Sequence, residues 1–188
     1  MLDKQTNSDS LPIQTLESHT AFSCRWYRVR KDAVLFPDGK QGEYNVVDVP
    51  PCVFIVPVSP TGEIVLIHHY RHTLKRWVWE IPAGGIEQST PEETVEAELR
   101  EEIGGTASQI DYLGEFFPSN GFSNEIAHFY IAWDVVLGEQ MLESAEAITV
   151  HPTPLDDVLH MIRSNQLKDA PSALAILLAA PKIRLKQR

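Results

Sequence analysis

Residues 82–105 read Pro-Ala-Gly-Gly-Ile-Glu-Gln-Ser-Thr-Pro-Glu-Glu-Thr-Val-Glu-Ala-Glu-Leu-Arg-Glu-Glu-Ile-Gly-Gly, and their reading decides the fold. The stretch has the grammar of a loop running into a helix. Thr90 fits an N-cap, Pro91 the first helical position and Glu93 the third, which together make a capping box. Gly104-Gly105 supplies the stop. Inside the helix Glu98, Glu101 and Glu102 stand at i, i+3 and i+4, so their side chains share one face. Val95, Leu99 and Ile103 form the adjoining apolar stripe, which docks the helix on a core. Like charges at such spacings cost about 0.2–0.5 kcal/mol per pair. Two readings accommodate them: a solvated acidic face, or oxygen ligands gathered for a hard divalent cation.

The chain has 188 residues, enough for one domain with a full core. A formal charge of −10 and a pI near 5.1, with no compensating basic stripe, exclude a nucleic-acid polymer as the expected partner. The short basic tail from Lys182 to Arg188 is read as solvated. Cys24 and Cys52 show neither metal-type nor redox-type spacing, which fits a reduced cytoplasmic setting. Residues 1–12 are polar and lack the apolar segment of a signal peptide. No apolar run approaches the ~20 residues that span a membrane. A soluble, cytoplasmic protein without a membrane partner is expected.

Organisation follows from punctuation. Residues 1–18 are expected to be flexible. Ala21 to Val49 favours strands, with Phe36-Pro-Asp-Gly39 as a turn between two of them. Cys52 to Val58 is an apolar, β-branched run; Ser59-Pro-Thr-Gly62 then turns the chain into Ile64 to Tyr70, a hairpin signal. Trp77 to Ile81 predicts a short strand leading into the loop, and Tyr112 to Phe117 and Ile126 to Trp133 predict two more. Thr153-Pro-Leu-Asp156 is a second capping start, with Leu155, Val158, Leu159 and Ile162 at helical spacing. A last helix is expected after Pro171, burying Leu174, Leu177 and Leu178. The sum is an α/β (α+β) chain, an α/β/α sandwich around a mixed sheet.

Pro-Ala-Gly followed by Glu-Leu-x-Glu-Glu-x-Gly resembles the box of the Nudix hydrolases. Two positions depart from that pattern. Ala97 stands where the family has arginine, and Ser89 or Thr90 where it has an earlier glutamate, with one loop residue deleted. The resemblance extends along most of the chain and implies the Nudix fold over residues 51–188. Residues 19–50 would be an added N-terminal β arm of the kind ADP-ribose pyrophosphatases carry, where it builds a swapped homodimer. His-His-Tyr-Arg71, Glu80-Ile-Pro-Ala-Gly84, Pro118 to Glu125 and Leu167-Lys-Asp-Ala170 are similar to further segments of those enzymes. The proline that marks ADP-ribose specificity after the box corresponds to Asn120.

The resemblance implies site residues as well. Glu98, Glu101, Glu102 and the backbone carbonyl of Ala83 would hold magnesium, with manganese as a substitute. Gly84 would let the loop turn tightly enough to present that carbonyl. Such ions neutralise phosphate oxygens and activate water. Glu146 would orient the water, with Glu143 close by and Glu125 as a weaker alternative. Arg71 is read either as a bidentate phosphate ligand or as a surface salt bridge. Glu80 is read as a substrate contact or an exposed strand carboxylate, and Trp26 as a ring stacked on a base or as ordinary sheet packing. His68, His69 and His72 do not converge, because neighbours on a strand point to opposite faces. The implied reaction is magnesium-dependent hydrolysis of a nucleoside diphosphate sugar, ADP-ribose first, giving AMP and ribose 5-phosphate. The alternatives are a GDP-mannose-type or other nucleotide-sugar hydrolase and a weakly active or inactive nucleotide-binding sensor.

Overall fold

The computed structural model of the chain describes residues 11–186, which divide into two units. The first contains β1 (Gln14–Ser23), β2 (Arg28–Leu35) and β3 (Gln41–Asp48), an antiparallel sheet in that order. Gly39, at φ +81°, closes the β2–β3 turn by donating its N–H to the Phe36 carbonyl at 2.9 Å, as the Pro-Asp-Gly sequence predicts. The expected flexibility of residues 1–18 lies outside the described residues for 1–10. For Gln14–Ser18 it is corrected: these residues pair with β2, and the Ser18 hydroxyl donates to Asp32 at 2.6 Å. Charge ties this thin sheet together, Arg30 bonding both Asp32 at 2.9 Å and Asp48 at 2.6 Å. Ser119–Glu125 belongs to the same unit, where the Val47 N–H reaches the Phe122 carbonyl at 2.8 Å and Asn124 donates to Asp48 at 3.0 Å.

The second unit holds the remaining elements. These are β4 (Cys52–Pro57), β5 (Ile64–Arg71), β6 (Arg76–Glu80), β7 (Ala83–Gly85), α1 (Pro91–Ile103), β8 (Gln109–Phe116), β9 (Ala127–Trp133), β10 (Ile148–Thr153), α2 (Leu155–Arg163) and α3 (Ala170–Lys186). A mixed sheet runs β7-β4-β9-β8 with β4 and β9 parallel, and an antiparallel sheet runs β10-β5-β6. The apolar runs make sense because these strands bury both faces. Val53, Ile55, Val65 and Ile67 pack with Val95, Leu99 and Ile103 of α1, while Val56, Leu66, Phe129 and Ile131 pack with α2 and α3. Helices therefore cover both faces, as the sandwich reading requires.

Three local expectations are corrected. The turn at Ser59–Gly62 does not close a hairpin ladder. After one bridge, Val58 with Ile64, it carries the chain from one sheet to the other. α2 has Pro154 as its N-cap with no side-chain bond, since Thr153 donates its hydroxyl to the His151 carbonyl instead. α3 buries Ser172, Ala175, Ile176, Ala179, Ala180 and Ile183, and it leaves Leu174, Leu177 and Leu178 exposed. The small residues let the helix lie close on the sheet, which a leucine stripe would prevent.

Candidate active site

α1 begins as its sequence dictates. The Thr90 hydroxyl accepts the Glu93 N–H at 3.2 Å while the Glu93 carboxylate accepts the Thr90 N–H at 2.8 Å. It ends at Gly104, φ +63°, packed so closely against Gly138 that no side chain fits. Val95, Leu99 and Ile103 are at most 1 % exposed, so the apolar stripe fixes the helix's rotation. That rotation brings Glu98 and Glu102 against β7, with Glu101 near enough to Glu98 to act on its charge.

β7 is itself a consequence of spacing. The Pro82 carbonyl accepts the Ile55 N–H at 2.9 Å, and the Ile86 N–H reaches the Pro51 carbonyl at 2.8 Å. The polar groups of alternate residues therefore face β4, and those of Ala83 face the opposite way. There the Ala83 N–H donates to Glu102 Oε2 at 3.0 Å. In an extended strand the carbonyl of a residue shares the side of its N–H, which puts the Ala83 oxygen on the edge that the glutamates line. Gly84 is required by a neighbour: a Cβ there would come within 2.8 Å of Glu98 Cγ and collide with its carboxylate.

Electrostatics single these carboxylates out. Burial, together with the fields of Glu101, Glu146 and Glu143, pushes the Glu98 carboxyl up to about 7. Glu102, 2 % exposed, is raised well above the ordinary carboxylate range by burial and by Glu98, against the opposing pull of the Ala83 N–H. No basic side chain bonds to Glu98 among the described residues. Glu146 stands close enough to act on both, in a loop where its carboxylate accepts the Glu143 N–H at 2.9 Å. Among the described residues no three acidic, histidine or cysteine side chains already form a complete metal cage. The donor set, hard oxygens in mutual repulsion beside an open backbone edge, fits a divalent cation.

Arg71 and Glu80 form a second cluster. Arg71 Nε lies 3.0 Å from both Glu80 oxygens and Nη2 lies 2.6 Å from Oε2. Glu80 is 5 % exposed, which corrects its reading as an exposed strand carboxylate. Burial pushes its carboxyl upward although Arg71 pulls it down. Arg71 stays charged: burial opposes the charge, and the bonds to Glu80 with the fields of Glu80, Glu102 and Asp169 outweigh it. Arg71 thus pairs with a buried carboxylate and not in a surface salt bridge, with Nη1 making no protein hydrogen bond among the described residues. The pairing was open to inspection, because Arg71 pairs with Arg76 across a hairpin and residues 76, 78 and 80 share one face.

Other expected residues are placed as follows. Trp26 is 57 % exposed in the β1–β2 turn, with the Arg25 guanidinium 4.4 Å over its ring, and Glu125 and Asn120 lie in the same unit as that turn. His68 stacks on Trp79 at 4.2 Å, while His69 is buried on the opposite face, so the histidines do not converge. Two contributors went unseen in the sequence. The Ser89 hydroxyl, at one of the two positions that depart from the box pattern, bonds the Thr94 hydroxyl at 2.7 Å. Ser172 accepts the Ile81 N–H at 3.1 Å and donates to Asp169 at 2.6 Å, tying the entry of β7 to α3.

The fold and this edge of carboxylates define a class. Residues 48–174 match the NUDIX domain model and residues 13–47 the nucleoside diphosphate sugar hydrolase N-terminal domain, so the chain belongs to the Nudix family. It is 32 % identical to an ADP-ribose pyrophosphatase of Bacillus subtilis over 170 residues, covering 89 % of this chain and 92 % of that protein. It is 30 % identical to a methanol dehydrogenase activator of Bacillus methanolicus, covering 87 % and 90 %. A crystal structure of an ADP compounds hydrolase superposes with a TM-score of 0.83 at 20 % identity, over 96 % of this chain and all of that one. The expected Nudix fold is therefore established, and the family is one of divalent-metal-dependent hydrolases acting on small molecules. No helix among the described residues is long and apolar enough to cross a membrane.

Proposed function

We propose that this chain hydrolyses the diphosphate of ADP-ribose to AMP and ribose 5-phosphate, with magnesium held by Glu98, Glu101, Glu102 and the Ala83 carbonyl. Manganese is the expected substitute. The observation that carries the reading is Glu98: a half-buried carboxyl packed against Gly84 beside Glu102, pushed up to about 7 by burial and by the fields of Glu101, Glu146 and Glu143. A bound divalent ion supplies charge neutralisation on the phosphate oxygens and a more acidic water. Glu98 and Glu102 hold their oxygens on the β7 edge, Glu102 fixed by the Ala83 N–H. Glu146, whose field reaches both, accepts a proton from the attacking water, with Glu143 bracing its loop. Arg71, held by Glu80 in the ligand-free fold, supplies a cation to the diphosphate.

The arm completes the reading as a homodimer. β1 is exposed along its whole length, and Leu16, Phe22, Trp26 and Tyr27 are each more than 40 % exposed. A three-stranded sheet of this size cannot bury such a surface on itself. A second copy covers it, and Trp26 stacks on the base of the partner's ligand. Cys24 and Cys52, with neither metal-type nor redox-type spacing, favour the cytoplasm. The deciding assay incubates the protein with magnesium and a panel of nucleotide sugars, following AMP and GMP release. AMP from ADP-ribose is expected. GMP from GDP-mannose as the dominant product would replace the substrate, and no turnover with tight nucleotide binding would favour the sensor.

A further inference from the structure

His69 is the buried side chain whose polar atom finds no hydrogen bond: its Nδ1 has no partner among the described residues, and the side chain is 8 % exposed. Orphaned buried nitrogens are rare because leaving one unpaired costs a full desolvation penalty. The ring faces the Arg71–Glu80 cluster. Nδ1 lies 3.8 Å from Glu80 Oε2, the oxygen that Arg71 Nη2 holds at 2.6 Å. Burial and the nearby Arg71 charge hold the ring down at about 4, so it is neutral at neutral pH and its Nδ1–H tautomer is a donor.

A phosphate contact through the fork of Arg71 conflicts with the present bonding, because Nε and Nη2 are both spent on Glu80. Releasing them would strand a carboxylate that is 5 % exposed. We propose that His69 is a positioning residue that takes over Glu80 when Arg71 turns to the substrate's diphosphate. Resting on the proposed nucleotide-sugar hydrolysis, the exchange needs Oε2 to approach by only about 1 Å, from 3.8 Å to ordinary N–H···O distance. One hydrogen bond to Glu80 forms as others break, so the buried acceptor is never left bare. The alternation of β5 makes the swap feasible, since residues 69 and 71 point to the same face as Glu80.

The test compares His69→Leu, His69→Asn, Glu80→Gln and the His69→Leu/Glu80→Gln double variant in steady-state hydrolysis of ADP-ribose, with melting temperatures measured in parallel. His69→Leu should raise KM by about ten- to a hundredfold while kcat changes by no more than about twofold, the pattern of a contact made in ground and transition states alike. His69→Asn, which keeps an amide donor near Nδ1, should recover most of that loss. In the Glu80→Gln background, where no stranded charge exists, His69→Leu should leave KM within about twofold. An unchanged KM in His69→Leu, or equal effects in both backgrounds, overturns the proposal. A wild type that turns over no nucleotide sugar sinks the parent function and this inference together, whereas normal wild-type turnover with an indifferent His69→Leu sinks the inference alone.

Discussion

Replacing Glu98 with glutamine should do two opposite things: stabilise the metal-free fold and remove metal-dependent turnover. The Glu98 carboxyl is raised from 4.5 to about 7 in the fold. Between those values the folded chain keeps a proton that the unfolded chain has released. Stability is therefore fully present below pH ~4.5 and is lost as pH rises through ~7. At 1.36 kcal/mol per pH unit the loss is about 3 kcal/mol, and partial exposure of the side chain reduces it to on the order of 1–3 kcal/mol. Glu98→Gln cannot ionise and avoids this loss. In a chain of this size about 1 kcal/mol moves Tm by 2–4 °C, so at pH 8 with chelator the variant should melt roughly 3–10 °C above wild type. The gap should shrink toward pH 5. Magnesium should reverse the order by stabilising wild type alone, and turnover should fall at least about a hundredfold in the variant, the scale of a lost electrostatic contribution. Thermal melts at pH 5, 6, 7 and 8, with chelator and with magnesium, decide the matter. A variant that melts lower than wild type at pH 8 without metal, or keeps near-native turnover, would refute the reasoning.

Gly84→Ala should lower activity at least about tenfold with little loss of Tm, because the added methyl displaces the mobile end of Glu98 and not the core; equal activity would show that this carboxylate does not work where it lies. Removing residues 14–48 should give monomeric or insoluble protein by light scattering, and a soluble, monomeric, fully active product would refute the arm's role. Ser89→Glu alone should loosen the loop by breaking the hydroxyl pair with Thr94, and Ala97→Arg should compensate. A double-mutant cycle on half-saturating magnesium reads that coupling, and strict additivity would mean the two positions never meet.

What was legible in the sequence was what local chemistry decides. The cap at Thr90, the stop at Gly104 and the stripe of Val95, Leu99 and Ile103 need only residues within a few turns of one another, and all three stand as read. α3 was misread because it is apolar on several sides. The leucine set and the alanine–isoleucine set both satisfy helical spacing, and only the closeness of the sheet chooses between them. The Ser59–Gly62 turn looked like a hairpin because turn residues specify a reversal and not which sheet the next strand joins. Glu80 stayed open between a substrate contact and an exposed strand carboxylate, since strand alternation assigns a face without saying what covers it. Ser89 could not be recognised as a brace, because its partner is a threonine on the next helical turn and not a charge.

The same helix both stabilises the fold and destabilises the site. Burying Val95, Leu99 and Ile103 contributes about 1.5–3 kcal/mol each, which offsets the cost of holding Glu98 half-buried and Glu102 buried. The carboxylates can therefore stay uncompensated without unfolding the domain. Their repulsion becomes affinity for whatever cation neutralises them, since a ligand that binds only the folded form draws on the same free energy. The Arg71–Glu80 pair is built on the opposite principle, a cation and an anion already satisfied in burial. An incoming diphosphate brings charge that suits a cation beside the glutamates and competes with Glu80 for Arg71. Under the proposed function, substrate binding would be coupled to metal binding on one side and to the exchange of a buried ion pair on the other. Weakening α1's apolar stripe, for example by Leu99→Ala, would act on stability first and on the site only through it. Changing Glu98 or His69 would act in the reverse order.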